Sequence, residues 1–384
     1  MFLVGIGHSD DVDSGDAIAE VLDKCRETLG EKTPQAGILF SAIDHDHDLV
    51  LKKINESYPG VELIGCTTDG ELSSVMGFTE DAISLTLIYS DELEIKAGVA
   101  DKVSELSDDL FKKSVEEAKA QFEHEPSLCI VTPSSLTVNV SIVLRTLRQA
   151  FGENFPIFGG SAADQLKFVG TYQFYKDKVL SDAVPFLLFS GPLLYSFGVQ
   201  SGKIPFGEKA EVTRSEGNTL YTIGDMTAVE FYRNYIGNME LGSLVDYPLA
   251  VFEGGVSDFY VRASFQAEEE TGSITFFGEI PTGAQVQITH ADRDKIIESA
   301  NTSYHQAIDN YPGKKPSLLI CFSCAGRKQI LGTRTSEEYE LMHNETPGLP
   351  ITGFYTYGEI SPIQRDLSSR FHNETFVSLL LGVD

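Results

Sequence analysis

The sequence predicts an α/β protein with mixed β-sheets, and three observations carry that reading. Helix-spaced and strand-like apolar segments follow one another along the chain, in an order of helix, strand, helix, strand that recurs three times. Each recurrence holds a turn that opens on glycine and places Glu or Gln six positions later. Between the second and third recurrences lies a stretch of short alternating runs with one helix-like segment, which reads as a β-rich insert.

In the first unit, Ile18, Val21, Leu22, Cys25 and Leu29 fall on one helical face behind an acidic, Gly-containing start. The run 36–42 predicts a buried strand. An Asp-His-Asp-His segment then opens a helix with Val50, Leu51, Ile54 and Tyr58 on one side, closed by Pro59-Gly60. The entry 61–64 leads into the turn Gly65–Glu71, and 82–89 returns as a strand. The second unit repeats this as a helix over 103–122, a strand over 127–132, a helix over 138–151, the turn Gly159–Gln165 and a strand over 184–190. The third does so as a helix over 293–310, a strand over 317–322, a helix over 335–344, the turn Gly353–Glu359 and a strand over 375–381. If the repeat is real, the three turns converge at one end of a common sheet system and build one pocket.

The insert, roughly 194–288, shows strand-like runs at 199–204, 210–212 and 248–252, a short helix after Asp225, and a hairpin of 260–266 with 274–277 around Thr271-Gly272. It sets the expected boundary between an N-terminal domain, 1–215, and a C-terminal domain, 216–384.

Composition narrows the partners. A formal charge of −28 repels phosphate backbones and anionic membrane surfaces, so nucleic acid and membrane are not expected partners. No stretch approaches the roughly 20 apolar residues of a membrane helix. The start of the chain carries no basic leader and the five cysteines sit in apolar runs, which together predict a cytoplasmic protein.

Four motifs, taken in order, resemble those of the FIST proteins: Gly65-Cys-Thr-Thr-Asp-Gly-Glu71, Phe158-Gly-Gly-Ser-Ala-Ala-Asp164, Cys324-Ala-Gly-Arg327 and Gly353-Phe-Tyr-Thr-Tyr-Gly-Glu-Ile360. The resemblance runs nearly end to end and implies two FIST domains forming one ligand site. It further implies a bacterial small-ligand sensor, with amino acids the ligands proposed for the family, that acts on a partner histidine kinase or a cyclic-dinucleotide enzyme. A stand-alone branch with similar architecture binds haem and senses nitric oxide, so haem is the alternative cofactor. The chain shows no kinase, receiver or cyclase motif of its own, so a sensor of this kind would signal through a separate protein.

In the amino-acid reading, Arg327 and Glu359 are the first candidates. A guanidinium grips a carboxylate and a carboxylate accepts from an ammonium; equally, the two could pair with each other behind the loop. Tyr355 and Tyr357 alternate around Thr356, so an extended loop points both rings one way, as a pocket wall or as ordinary strand residues. Thr67, Asp69, Ser161 and Asp164 belong to the echo turns, where backbone amides can face a ligand and where the same residues are also good turn chemistry. Cys321 and Cys324 lack two further zinc ligands at matching spacing; if both continue the strand their sulfurs face opposite ways, which leaves Cys324 at the pocket end. Among the eight histidines (His8, His45, His47, His124, His290, His305, His343, His372) no pair has a ligand spacing that singles out a haem site. An enzyme using Cys324 as nucleophile would need a distant base, and no Gly-x-Ser-x-Gly elbow is present.

Overall fold

The computed structural model describes residues 1–104, 108–238, 240–253 and 259–384, without the side chains of 108–110 and 241. It confirms a mixed α/β fold and gives the triplication a precise form. Each unit contributes four strands to its own sheet. In the first these are Phe2–Ser9, Ala36–Ser41, Glu62–Thr67 and Ile83–Ser90; in the second Glu94–Asp101, Leu128–Val131, Ile157–Gly160 and Ala183–Ser190; in the third Leu194–Gln200, Leu318–Cys324, Ile351–Thr356 and Phe376–Gly382. In every unit the middle two strands, joined through one helix or, in the third unit, two, are parallel and the others antiparallel.

Each six-stranded sheet is completed by a hairpin from a different unit. The first unit's hairpin, Glu71–Ser73 with Gly77–Thr79, joins the third sheet; the second unit's, Gln173–Tyr175 with Lys178–Leu180, joins the first; and the third unit's, Glu359–Ser361 with Arg370–His372, joins the second. The exchange closes in a ring, so no sheet is complete without a neighbour. It also ties the N-terminal to the C-terminal part of the chain. Residue 215, the expected boundary, lies inside the strand Ile204–Glu216.

The strand sequences are apolar on both faces because both are covered. Ile38 and Phe40, Ile64, Ile130, Leu187, Ile320 and Phe322 meet in one core shared by the three sheets, while the alternate residues Leu39, Leu63, Val131, Leu188, Leu319 and Leu380 face the helices outside. Phe354 stacks on Phe40 at 4.3 Å in that shared core. The outer helices follow their caps: Asp13 accepts from Gly15 and Asp16 at the start of Ser14–Leu29, Asp46 from Leu49 at the start of His47–Ser57, and Asn139 from Ser141 at the start of Val140–Phe151.

Several expectations shift. The apolar pattern does not flag the opening strand of any unit; Leu194–Gln200, expected within the insert, is the third unit's edge strand, and Gly202, at positive φ, precedes the start of Ile204–Glu216. The helix expected over 103–122 is described only as Asp108–Lys119, and residues 105–107 lie outside the described residues. Between Cys324 and Glu345 there are two helices, Ala325–Leu331 and Glu337–Glu345.

The insert is a separate antiparallel sheet, ordered Tyr260–Arg262, Leu249–Phe252, Gln285–His290, Ile204–Glu216, Thr219–Ile223, Ser273–Phe276, Ser264–Glu268, with Met226–Thr227 paired to Thr219–Ile223. The helix Ala228–Ile236, started by a Thr227/Glu230 capping box, packs Phe231 and Tyr232 into its core. The sheet docks on the threefold body through the third unit's hairpin. Arg262 donates to the Phe371 carbonyl at 2.8 Å, the Ala263 amide donates to Asn373 Oδ1 at 3.3 Å, and Arg370 pairs with Glu253.

Candidate functional site

The three glycine turns do converge. The Asp69 amide donates to Tyr355 O and the Tyr355 amide to Gly70 O; the Ala163 amide donates to Thr67 O; the Ser161 amide donates to Gly358 O and the Tyr357 amide to Ser161 O. Their glycines answer one constraint. A Cβ on Gly65, Gly159 or Gly353 would lie 1.9, 1.9 and 2.3 Å from the carbonyl oxygens of Leu39, Val131 and Cys321, each on the adjacent parallel strand.

Register identifies the matching polar positions. Leu72, Phe174 and Ile360 pair with Gly353, Gly65 and Gly159, and the residues just before them are Glu71, Gln173 and Glu359, all fully buried. Each side chain accepts a backbone amide where its unit's closing strand starts, from Ala82, Ala183 and Thr375 respectively. The second-unit counterpart of the two glutamates is therefore Gln173 and not Gln165, which is only half-buried and sits at a φ of 57°. Burial pushes Glu71 up to about 8 and Glu359 well above the carboxylate range, against the amides that oppose it.

The site lies where this symmetry breaks. The second turn runs from Gly159 to Gln173, eight residues longer than the other two. Asp164 folds the extra length around its carboxylate, which accepts from the amides of Phe168, Val169 and Gly170 at 2.7–3.0 Å and from the Tyr357 hydroxyl at 2.6 Å. Burial alone would raise this carboxyl, but the hydroxyl and three amides outweigh it and hold it below the usual range. The loop lays Phe168 on Tyr357 at 4.7 Å between ring centres, and the insert brings Phe277 to 6.2 Å from Phe168, with Phe265 beyond it at 5.2 Å.

These four rings stand between two lobes of a cleft separating the threefold body from the insert. The larger, about 670 Å³, runs past Ser135, Asn139, Ser161 and Glu279. The smaller, about 310 Å³, runs past Cys324, Gly326, Gln329, Asn373 and Glu374. Behind the smaller lobe, Lys203 Nζ lies 3.2 Å from the Glu374 carboxylate, both buried, and Glu374 holds a φ of 57°, unusual for a residue with a Cβ. Burial, with Glu359 and Glu374 nearby, pushes the Cys324 thiol well above its ordinary value.

Tyr357, Asp164, Ser161 and Cys324 are thus brought together, with Glu359 behind Cys324. Thr67 stands at the turn junction, where it accepts from the Tyr172 amide. Asp69 is paired with Lys328 at 3.3 Å; burial raises its carboxyl to about 6 against that lysine. Arg327 and Tyr355 go elsewhere. Arg327 is fully buried, and its guanidinium donates to Glu338 from Nε and Nη2, to Ser201 O and Ser299 Oγ from Nη1, and to Ile296 O from Nη2. Tyr355 donates to the same Glu338 at 2.6 Å. The two tyrosines do not share a wall: the strand ends at Thr356 and the Gly358 turn, at φ 138°, breaks the alternation that would have aligned them. Cys321 and Cys324 do face opposite sides, Cys321 packing under the helices.

The sequence reading missed Phe168, Phe265, Phe277, Glu279 and Glu374. A signal was present for one of them: eight extra residues in one of three otherwise matching turns mark an addition. Among the described residues, no histidine lines either lobe. His8 is held by Ser73 and Thr79, His47 by Ala42 O and His372 by Ser361 O. Among the described residues, no helix is long and apolar enough to cross a membrane.

Comparison with known proteins bears on this architecture. The model of the FIST N domain matches residues 35–226 and that of the FIST C domain residues 228–362. An uncharacterised protein of Mycobacterium tuberculosis is 23% identical over 94% of this chain and 95% of its own length. An uncharacterised protein of Methanocaldococcus jannaschii is 23% identical over 84% of this chain and 68% of its own. Among solved structures, a cyanuric acid hydrolase from A. caulinodans aligns with a TM-score of 0.27 at 9% identity, over 50% of this chain and 71% of that one.

Proposed function

The chain belongs to the FIST family, whose domains are small-ligand sensory domains of signal transduction, and from that premise we propose that the two-lobed cleft is its ligand site and that its ligand state is passed to a partner histidine kinase or cyclic-dinucleotide enzyme. The observation that carries the reading is the position of the cleft. It is walled on one side by the turns of the second and third units, which the first unit's turn holds from behind, and on the other by the insert, so a ligand touching both biases how the insert sits on the body. Such a bias is what a partner can read, provided the ligand binds one arrangement better than the other. Amino acids are the ligand class carried over from the family. Arg327, whose donors are taken up by Glu338 and its neighbours, is not part of the proposed contact set, which is Tyr357, Ser161, Cys324, Phe168 and Phe277, with Asp164 holding the Tyr357 hydroxyl from behind.

The test is partner output. Autophosphorylation of a co-purifying kinase, or turnover of a co-purifying cyclic-dinucleotide enzyme, is measured with this chain, with and without a ligand found by thermal shift. Output identical at saturation would end the sensory proposal. The haem alternative is judged by haemin titration: the lobes offer no histidine, so no sharp Soret band at one-to-one stoichiometry is expected. The enzyme alternative is disfavoured by the burial that keeps Cys324 a thiol, since the thiolate is the nucleophile.

A further inference from the structure

Taking the cleft as the ligand site, as above, we propose that the group it recognises is an organic ammonium ion carried on an apolar body, bound through its positive charge and not through a carboxylate. Three observations on the cleft lead there. Among the described residues, the charged side chains that line the two lobes are Glu279 in the larger and Glu374 in the smaller, and neither lobe is lined by Lys or Arg. Glu374 is 4% exposed; its Oε2 pairs with Lys203 at 3.2 Å on the buried side, while its Oε1 turns towards Gly326 in the wall of the lobe. That lysine does not line the lobe, and Glu359 stands as a second carboxyl beside it.

The rings supply the second element. Phe168 and Phe265 are 41% and 57% exposed, so ring surface is left uncovered between the two acids, and an aromatic face attracts an ammonium through its quadrupole. The apolar area of the same rings takes up the ligand body. The third element is the field of the whole molecule. A formal charge of −28 draws cations towards such a cleft and repels carboxylates, so a ligand held by its carboxylate would work against the potential at every stage of approach. A zwitterionic amino acid brings a carboxylate for which the cleft wall has no cationic side chain.

The experiment is calorimetric titration of the full chain with four compounds of one shape: phenethylamine, phenylalanine, 2-phenylethanol and 3-phenylpropionate. Phenethylamine is expected to bind at least tenfold more tightly than the alcohol, to outdo phenylalanine, and to weaken as salt is added. Phe265→Ala, at an exposed ring, and Glu279→Gln, which is half-buried and keeps an oxygen for Asn139, should each weaken the amine while leaving the melting temperature unchanged. Glu374→Gln should remove the preference over the alcohol. Should Glu374→Gln fail to fold, the other two variants carry the test. Equal binding of amine and alcohol, or tighter binding of the propionate or of phenylalanine, would overturn the ammonium assignment and leave the cleft as a ligand site. No binding of any of the four at millimolar concentration would overturn it too, while the sensory reading would still be decided by partner output.

Discussion

Replacing Arg327 by Met tests whether this residue holds the fold or the ligand. The guanidinium and the Glu338 carboxylate are both fully buried, and the arginine donates five hydrogen bonds, two of them to Glu338 at 3.0 and 2.5 Å. Methionine fills much of the volume but leaves Glu338 with only Ser323 at 3.1 Å and Tyr355 at 2.6 Å, and strips a donor from Ser201 O and from Ile296 O. Breaking a buried pair from one side costs about 3–5 kcal/mol, mostly for the charge left behind. For a cooperative unit of roughly 150–250 residues that corresponds to a fall in Tm of about 6–20 °C. Adding Glu338→Gln removes the stranded charge and should recover part of the loss, so the double-mutant cycle reports a coupling of opposite sign to the single costs. Thermal melting followed by circular dichroism measures all four proteins; calorimetry below the transition measures ligand binding. Arg327→Met is expected to melt early and still bind. A variant that melts with the native protein, or one that loses binding at unchanged Tm, would refute the structural assignment and return Arg327 to the ligand.

The buried glutamates predict a pH effect. The folded state raises the Glu71 carboxyl from 4.5 to about 8, so it holds a proton that the unfolded chain releases, and stability contributed there declines as pH rises from about 4.5 to 8. Glu71→Gln, the residue already present at the equivalent position 173, should raise stability by on the order of 2–4 kcal/mol at pH 8 and little at pH 5; no pH-dependent gain in urea midpoint would count against the assignment. Burial lowers His8 and His372 to about 4, so their contribution is present above about 6.5 and is lost as pH falls towards 4, opposite in sign to Glu71; the stability difference between native protein and His372→Gln should therefore shrink between pH 7 and pH 4, and a difference independent of pH would contradict this. Gly65→Ala drives a Cβ against Leu39 O and should cost about 3 kcal/mol or abolish soluble expression, read by urea unfolding. All five cysteines are buried free thiols, and Cys324 is pushed well above the ordinary thiol range, so native protein should be slow to react with Ellman's reagent and unfolded protein should release five equivalents; rapid labelling at Cys324 would revive the nucleophile reading.

The local chemistry of the chain was legible because it depends on near neighbours. Ile18, Val21, Leu22, Cys25 and Leu29 form one buried helical face, Asp46 caps its helix, and the three glycine turns stand where the pattern puts them, since period, caps and tight turns act within a few residues. The α/β class and the triplication followed from the same signals. The opening strands escaped: in Leu194–Gln200, half-buried residues intervene between the buried ones on an edge strand that pairs on one side only, which weakens the apolar run that flags an interior strand.

What the tertiary structure alone decided is which distant groups meet. The sequence offers Glu359 to Arg327 as readily as Glu338, but the glutamate on the helix Glu337–Glu345 reaches it, and Glu359 is taken by the Thr375 amide as Glu71 and Gln173 are taken in their units. A count of six residues from each glycine selects Gln165, whereas strand register selects Gln173, because the count ignores the loop that Asp164 folds in between. Hairpins three residues long per strand carry too little local pattern to name their sheet; each finds its place by completing the hydrogen bonds of another unit's edge. The cleft follows from that exchange and from the insert above it, so Phe168, Phe265 and Phe277, scattered over more than a hundred positions, become one wall only when the chain has closed on itself.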